Sequence, residues 1–514
     1  MGWQTVLAEQ NRQIFVRRKL RKVINTQMMF GQTDISSIVF DPKSRDDIPQ
    51  LLRGLQHLYT DPQLRERVFS VLAEILPERS GGAGKASRKT GRPGMEQWKI
   101  LVLGVLRLGL NIDYDRVQEL ANQHSTLRKM LGHSDWSDES YYELQTLKDN
   151  LQLFTPELLD RINQIVVSAG HQTLKKSPDE GLEVRCDSFV VETNVHYPTD
   201  INLLYDAIRK TVESCAELSE THGLPGWRQS AHLIRKFKKS HRHIQQLKHS
   251  TGKDEQKRLA KQDEIQQAHR AYLELAADYL ERARSLRALL VEQPFLRLVF
   301  LSALDEYIGH AERQIEQIRR RVLLGEAIPH GEKVFSIFQP HTEWISKGKA
   351  GVPMELGLRV CIVEDQTRFI LHHKVMEKIS DEQIAAPIVT ETKERFGQVV
   401  TFSFDKGFHS KANQAQLTES LDLLVLPRKG RLSALDRARE SEPEFIRLRQ
   451  QHSAVESAIN ALEAHGLDKC PDHGIVGFRR YVALAVVARN IQRLGAVLRQ
   501  KEANRHRGPY KKAA

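Results

Sequence analysis

The chain has 514 residues, 40% of them hydrophobic, and its 77 Lys and Arg outnumber its 65 Asp and Glu, which gives a formal net charge of +12. This length exceeds one ordinary hydrophobic core, so several domains are expected. The most apolar stretch, residues 100–110, is too short to span a membrane and is interrupted by Arg107. The first residues lack the layout of a signal peptide, and four scattered cysteines suit a reducing compartment. These features predict a cytoplasmic protein with no membrane partner.

The positive charge is concentrated in three places. Residues 228–262 hold eleven Lys and Arg against Asp254 and Glu255, and smaller basic clusters lie at 79–92 and 499–512. A run of charge is often only a solvated surface. Three clusters of the same sign favour a polyanionic partner, with nucleic acid as the leading candidate.

The N-terminal part reads as helical in two segments. Residues 1–77 form the first, and residues 78–94, which include SGGAGKASRKTGRPG, form a basic flexible linker. Residues 95–175 contain several short helical patterns. They fit a helix-turn-helix DNA-binding domain or a plain helical bundle equally well.

The second half alternates between strand and helix patterns. LEVRCDSFVVETNV opens a strand region at 180–200, and residues 201–330 read as an inserted helical arm with Tyr272, Leu275, Tyr279 and Leu286 on one stripe. Strand patterns return over 331–500 in KVFSIFQP, LGLRVCIVED, TRFILHHKV, VVTFSF and LDLLVLP, with helices between the later ones. Without the arm the order is β-β-β-α-β-α-β-α. This order predicts an α+β protein with an RNase H-like mixed sheet, followed by a basic tail at 501–514.

Two aspartates lie within or directly after predicted strands. The stretch TFSFDKGFHS ends a strand on Asp405, and VRCDSFV carries Asp187 within the first strand. In such a sheet these strands are neighbours, and two adjacent carboxylates repel each other unless a cation lies between them. Lys406 adds a positive charge suited to phosphate.

A third acidic residue lies on a predicted helix near the C-terminus. In RLRQQHSAVESAINALEAHG, Val455, Ile459 and Leu462 form an apolar stripe. A neighbouring polar stripe consists of Arg449, His452, Glu456 and Glu463. Taken alone, Glu456 fits an ordinary charge on a surface helix far better than a catalytic residue.

The motifs together resemble a family of known enzymes. DSFVVETNVHYPTD around Asp187, DKGFHSKANQ around Asp405, and HSAVESAINALEAHGL followed by GFRRYVALAVVARNIQRL are similar to DDE-type insertion-sequence transposases, closest to the ISNCY-like group. The resemblance covers essentially all of 182–500. It implies that Asp187, Asp405 and Glu456 are the catalytic and metal-binding triad.

The resemblance also implies a reaction and its partners. Hard carboxylate oxygens suit Mg²⁺ or Mn²⁺, and two such ions about 3.5–4 Å apart can stabilise an in-line displacement at phosphorus. Water would cut the strand at the end of a mobile element, and the freed 3′-hydroxyl would then join target DNA. The expected partners are DNA with terminal inverted repeats, target DNA and a second copy of the chain, in a bacterial cytoplasm at the nucleoid. The alternatives are a catalytically inactive DNA-binding derivative and a hydrolytic nuclease of the same fold.

One departure from the family concerns the third motif. The family has Tyr, Arg, Glu and Lys where this chain has Arg449, His452, Glu456 and Glu463, so the place of the family's Lys is acidic. Other basic residues are therefore included among the candidate DNA contacts. These candidates are Lys236, Lys238, Lys239, Arg242, Lys347, Lys349, Lys406, Arg428, Lys429, Arg449 and His452.

Overall fold

The computed structural model describes residues 33–41, 44–75, 94–134, 140–177, 180–247, 254–291, 298–346 and 354–507. Most of the predicted linker, together with Lys347 and Lys349, lies outside these residues, as do the first 32 residues and the end of the basic tail. The chain divides into two compact units. One comprises residues 1–194 and 345–514, and the other comprises Val195–Trp344.

The described residues contain the following regular elements. The helices are α1 (Ile48–Thr60), α2 (Pro62–Leu72), α3 (Gln97–Gly109), α4 (Tyr114–Gln123), α5 (Ser125–Met130), α6 (Leu144–Leu151), α7 (Pro156–Leu174), α8 (Asp200–Thr221), α9 (Ser230–Gln246), α10 (Glu255–Val291), α11 (Leu298–Ile318), α12 (Asp381–Arg395), α13 (Lys411–Ser420), α14 (Ala434–Glu440), α15 (Pro443–His452), α16 (Ala454–Leu462) and α17 (Gly474–Arg507). The strands are β1 (Leu182–Thr193), β2 (Glu343–Ser346), β3 (Met354–Asp365), β4 (Ile370–Met376), β5 (Val399–Phe404), β6 (Leu423–Val425) and β7 (Lys469–Cys470).

The strands form one mixed sheet, which confirms the α+β class. The sheet has seven strands in the order β2-β3-β1-β5-β6, while β4 pairs with β3 and β7 pairs with β1. The pairs β1–β3 and β3–β4 are antiparallel, whereas β1–β5, β5–β6 and β1–β7 are parallel. Strand β1 is therefore central and lies between β3 and β5.

The prediction of a strand in KVFSIFQP was wrong. Residues 333–340 form turns, and the next strand begins at residue 343. The Ser336 hydroxyl accepts hydrogen bonds from the backbone N–H groups of Phe338 (3.2 Å) and Gln339 (3.0 Å). These local bonds occupy backbone donors that a strand would use.

The first unit has one hydrophobic core that includes its N-terminal helices as well as the sheet. Buried residues from residues 48–75, 97–109 and 156–167 belong to the same core as those of the strands and of α17. A buried polar link reinforces this packing, because Asn490 Nδ2 donates to Asn163 Oδ1 (2.7 Å) and to the backbone oxygen of Ile370 (2.8 Å). Helices α7 and α17 are thereby joined to β4.

Helix α17 is long and apolar enough, by composition alone, to cross a membrane, which the sequence analysis overlooked. The candidate segment is Gly474–Arg505, and 72% of its most apolar window is buried inside the protein. Among the described residues no other helix meets the same criteria. Burial of this extent is that of a core helix in a soluble protein.

The second unit is a helical assembly built from α8 to α11. Its core contains Tyr272, Tyr279 and Leu286 from the predicted stripe, while Leu275 is partly buried. The ring of Phe237 on α9 stacks on Tyr272 with centroids 4.5 Å apart. Offset aromatic stacking of this kind adds to the area that such rings bury.

Helices α1 and α17 approach closely because each has a glycine at their contact. A Cβ atom added at Gly495 would lie 1.9 Å from the backbone oxygen of Gln50, and one added at Gly54 would lie 2.4 Å from that of Ile491. Gly495→Val is expected to lower the free energy of unfolding by about 3 kcal/mol, because backbone atoms cannot move aside as a side chain could. The midpoint of thermal unfolding, followed by circular dichroism, checks this prediction.

The matched control is Gly309→Ala in α11, where an added Cβ would meet nothing within 4 Å. Alanine favours a helix over glycine by about 1 kcal/mol, so this variant should be as stable as the parent protein or more so. A comparable loss in both variants would contradict the proposed close contact.

Candidate active site

Strands β1 and β5 bring Asp187 and Asp405 to neighbouring positions. The two strands pair in parallel, and the last pair in their ladder joins Cys186 to Phe404. The next residue on each strand is an aspartate. Because neighbouring strands lie about 4.8 Å apart, the two acids are side by side at the end of the ladder.

The chain turns immediately after Asp405. This residue is extended and precedes a single 3₁₀ turn, Lys406–Phe408, in which the N–H of Phe408 donates to the oxygen of Asp405 (3.2 Å). Phe408 is buried against Phe404, with ring centroids 5.2 Å apart. Burial of this ring fixes the turn and leaves Asp405 and Lys406 exposed at its surface.

The pKa of Asp187 is shifted by burial and by its acidic surroundings. Its pKa is raised to about 6, first by burial and then by the charges of Asp405, Asp381 and Glu456. The N–H of Ser188 donates to Asp187 Oδ1 (2.7 Å), which opposes the rise by stabilising the carboxylate. The site therefore groups four acidic residues around the middle of β1 and the end of β5.

Asp381 is an acidic residue of this group that the sequence analysis missed. Its Oδ1 accepts a hydrogen bond from the Ser188 hydroxyl (2.6 Å), and its Oδ2 lies 3.5 Å from the position of a Cβ at Gly407. It is the first residue of α12, which begins with a capping box between Ser380 and Gln383. The capping pattern predicts a helix start, but only the fold reveals that the helix starts beside Asp187.

Glu456 lies on a helix that differs from the predicted one. The single helix predicted through residues 449–463 is interrupted at Ser453, and a π turn follows at Glu463–Leu467. The Ser453 hydroxyl donates to the oxygen of Gln450 (2.9 Å), and this local bond accompanies the break. Glu456 is exposed in the first turn of α16, and its charge contributes to the raised pKa of Asp187.

His452 lies inside the fold instead of on the surface. Its Nδ1 is 3.0 Å from the hydroxyl of Ser403, two residues before Asp405. Burial lowers the pKa of His452 to about 4, so the imidazole is neutral at physiological pH. Its Nε2 is buried and has no hydrogen-bond partner among the described residues. This position suits support of the β5 end better than contact with DNA.

The other basic candidates near the acids fall into two groups. Arg428 and Arg449 are both paired with acids: the Arg428 guanidinium pairs with Asp436, and that of Arg449 lies 3.5 Å from Glu440. Lys406 and Lys429 are exposed and form no ion pair with a described residue. Lysines of the second group are therefore the ones free to contact phosphate.

The arm presents a separate basic surface on α9. Phe237, His241 and Ile244 are buried along one side of this helix. The basic candidates on it are exposed, and within the described part of the chain they form no ion pair. They are Lys236, Lys238, Lys239 and Arg242.

The four acids are the candidate ligands for a metal ion. Within the described ranges, no group of three or more His, Cys, Asp or Glu side chains is placed to hold a metal ion. The acids Asp187, Asp381, Asp405 and Glu456 nevertheless form no ion pair with a described basic residue. These four carboxylates are hard oxygen donors that repel one another, and no described basic side chain neutralises them. Their chemistry therefore suits Mg²⁺.

The comparisons with known proteins do not assign this site to a family. No protein-family model matches the sequence, no curated protein matches it, and no solved structure matches the fold. The chemistry of the site must therefore be inferred from its own residues.

The raised pKa of Asp187 predicts a dependence of stability on pH. A carboxyl group with a pKa of about 6 in the folded state and an ordinary value in the unfolded state destabilises the fold as pH rises from about 4 to 6, by up to about 3 kcal/mol. Asp187→Asn removes this effect. In EDTA, its thermal midpoint should therefore rise relative to the parent protein between pH 5 and pH 7.5.

The control is Asp422→Asn, which changes an exposed carboxylate just before β6, near Val400 at the opposite end of β5. Its midpoint relative to the parent protein should not vary across the same pH range. If the thermal midpoint of Asp187→Asn differs from that of the parent protein by the same amount at every pH, the raised pKa of Asp187 is contradicted.

Proposed function

We propose that this protein is a DDE-type transposase of the ISNCY-like group, built on an RNase H-like domain. The sheet order supports the fold assignment. Strands β1, β3 and β4 form an antiparallel part of the sheet, with the short β2 between β1 and β3 in the chain, and they are followed by β5 and β6, which are parallel to β1, each after a helix. The second unit is inserted directly after β1.

The observation that carries the proposal is the pairing of Asp187 with Asp405. Two acids from distant parts of the chain meet at the end of one parallel ladder, where burial first, and then the charges of Asp405, Asp381 and Glu456, raise the pKa of Asp187. Keeping such a pair is unfavourable for the protein alone. A site that binds a cation accounts for its presence, because the ion reverses the repulsion.

The residues have distinct roles in this proposal. Asp187, Asp405 and Glu456 would hold Mg²⁺ or Mn²⁺, which supplies stabilisation of the attacking and leaving oxygens at the phosphodiester. Lys406 and Lys429 would contact the phosphates that flank the scissile bond. Ser403 and the neutral His452 would support the end of β5 from within the fold.

The remaining partners follow from the same proposal. Terminal inverted repeats and target DNA would be the substrates, and a homodimer would hold two element ends together at the bacterial nucleoid. The exposed basic residues of α9 would bind phosphates without reading sequence. To contact DNA, the Arg428 guanidinium would first have to separate from Asp436, and that of Arg449 from Glu440.

A second candidate is a transposase-derived DNA-binding protein that does not cleave DNA. It is favoured by the exposure of Glu456 and by the lack of a formed three-residue metal group among the described residues. A hydrolytic nuclease of the same fold is distinguished by its products, since it would not join a pre-cut 3′ end to a target.

Asp405→Ala is expected to abolish Mg²⁺-dependent nicking while leaving DNA binding near normal, because Asp405 is exposed and makes no contact that the core requires. Nicking is measured on supercoiled plasmid carrying the DNA that flanks the gene, with Mg²⁺ or EDTA. Binding is measured by gel shift on the same DNA.

Asp422→Ala is the matched control, because it removes an exposed acid far from the site and should nick at the parental rate. If Asp405→Ala nicks DNA at the parental rate, the assignment of Asp405 as a catalytic residue is refuted. Absence of Mg²⁺-dependent nicking in the parent protein, with intact binding, would favour the inactive DNA-binding candidate.

The basic surface of α9 predicts a dependence of binding on salt. Each phosphate contact adds roughly 0.9 to the slope of log affinity against log salt. The double variant Lys238→Ala, Lys239→Ala should therefore weaken binding to any duplex and reduce the slope by about 2, as measured by fluorescence anisotropy at several salt concentrations.

The control double variant is Arg284→Ala, Arg287→Ala, which removes the same charge from α10. These arginines are paired with Glu312 and Asp305, so they are less available to phosphate. An equal loss of slope in both variants would show that net charge, not the α9 surface, controls binding.

A further inference from the structure

A cavity of about 1080 Å³ lies in the first unit, away from the four acids. It is bordered by α3, α4, α6, the end of β1 and the start of α17. Its lining residue Lys469 pairs with Glu192, five residues beyond Asp187, which corresponds to roughly 17 Å along β1. Pockets that bind small molecules typically span roughly 300–1,000 Å³, so this cavity has the size of a binding site.

A buried arginine forms part of the cavity wall. Arg107 is only 5% exposed, and its guanidinium lies 4.1 Å from the ring centroid of Tyr114 and 5.3 Å from that of Tyr481. Its Nη2 donates to Asp472 (2.9 Å), while its Nε has no partner among the described residues. The Arg107 guanidinium therefore adds positive charge to the cavity wall, and one of its buried donors is not used by a described residue.

The positive charge of the cavity exceeds what its acids neutralise. Asp472 is shared between Arg107 and Arg480, whose Nη2 lies 3.3 Å from Asp472 Oδ2. Lys148 and Lys469 also line the cavity, and neither forms an ion pair with a described residue. The lining has three acids, Asp113, Asp468 and Asp472. Its four basic residues are Arg107, Lys148, Lys469 and Arg480, so the net charge is +1 with His473 neutral.

The backbone adds to this preference for an anion. Helix α17 begins at the cavity, which its residues Val476 and Gly477 line. The N-terminus of a helix carries a partial positive charge and favours negative groups. This effect is additional to the Arg107 and Lys148 side chains.

The rest of the lining is suited to a ligand larger than a bare anion. The carboxamides of Asn111, Gln152 and Asn194 offer both donors and acceptors, and the rings of Tyr114 and Tyr481 offer aromatic surface. Amides and aromatic rings are the groups with which proteins recognise nucleobases. Guanidinium and ammonium groups recognise phosphate.

We propose that this cavity binds a phosphate-bearing nucleotide, with the phosphate near Arg480 and Lys148 and the base against the amides and tyrosines. The nucleotide could be free or part of a DNA strand, and both share this chemistry. The inference does not rest on the proposed transposase activity, because it concerns different residues at a different place.

The test uses the full chain carrying Asp187→Asn, which cannot consume nucleic acid by the proposed chemistry. Isothermal titration calorimetry compares dAMP, deoxyadenosine, inorganic phosphate and a four-nucleotide single strand. We expect dAMP to bind at least about tenfold more tightly than deoxyadenosine or phosphate, because each of these lacks one half of the contacts. Tighter binding of the single strand than of dAMP, with both weakened by Lys148→Ala, identifies a DNA strand as the source, and tighter binding of dAMP identifies the free nucleotide.

Lys148→Ala is the main variant because Lys148 makes no ion pair with a described residue, so its loss should not disturb the fold. Its affinity for dAMP should fall about tenfold. Arg479→Ala is the matched control, since Arg479 is exposed, adjacent to Arg480 and paired with Glu377 instead. Thermal midpoints verify that both variants are folded.

Three results would overturn the proposal. The first is absence of binding by dAMP and by the single strand, and the second is equal binding of phosphate and dAMP. The third is equal weakening by Lys148→Ala and Arg479→Ala, which would indicate only diffuse surface charge. None of these outcomes depends on whether the parent protein nicks DNA.

Discussion

The repulsion between Asp187 and Asp405 is the constraint on which the interpretation of this protein depends. A parallel ladder fixes the two acids beside each other, and burial prevents Asp187 from escaping into solvent. The surrounding structure holds this arrangement firmly. Phe408 anchors the turn after β5, Ser188 bonds to both Asp187 and Asp381, and the sheet continues on either side. The fold therefore maintains a local electrostatic cost at Asp187, which either protonation or a bound cation would lower.

Much of the fold could be predicted from the sequence because its signals are local. Alternating apolar residues in 182–193 and 399–404 indicate strands, and the helical stripe through Tyr272, Tyr279 and Leu286 indicates the arm. The order of these elements was enough to place Asp187 and Asp405 on neighbouring strands. The α+β class is confirmed, while the enzymatic assignment remains a prediction.

The features that escaped prediction depend on contacts between distant residues or on single hydroxyl groups. Asp381 belongs to a helix start whose position relative to β1 is set by tertiary packing, so no local pattern marks it. The hydroxyls of Ser336 and Ser453 form local bonds where a strand and a continuous helix had been expected. His452 resembles a surface residue in a polar stripe until the packing against Ser403 is known.

The insertion after β1 has a consequence for synthesis of the chain. Strand β1 ends at Thr193, and its antiparallel partner β3 begins about 160 residues later at Met354. At roughly 5–20 residues per second, the ribosome needs about 8–30 s to supply that partner. The helical unit between them relies on contacts within itself and can fold during this interval. Until β3 emerges, the nascent β1 exposes unpaired backbone, so this delay is the period when the chain is most open to aggregation or to capture by a chaperone.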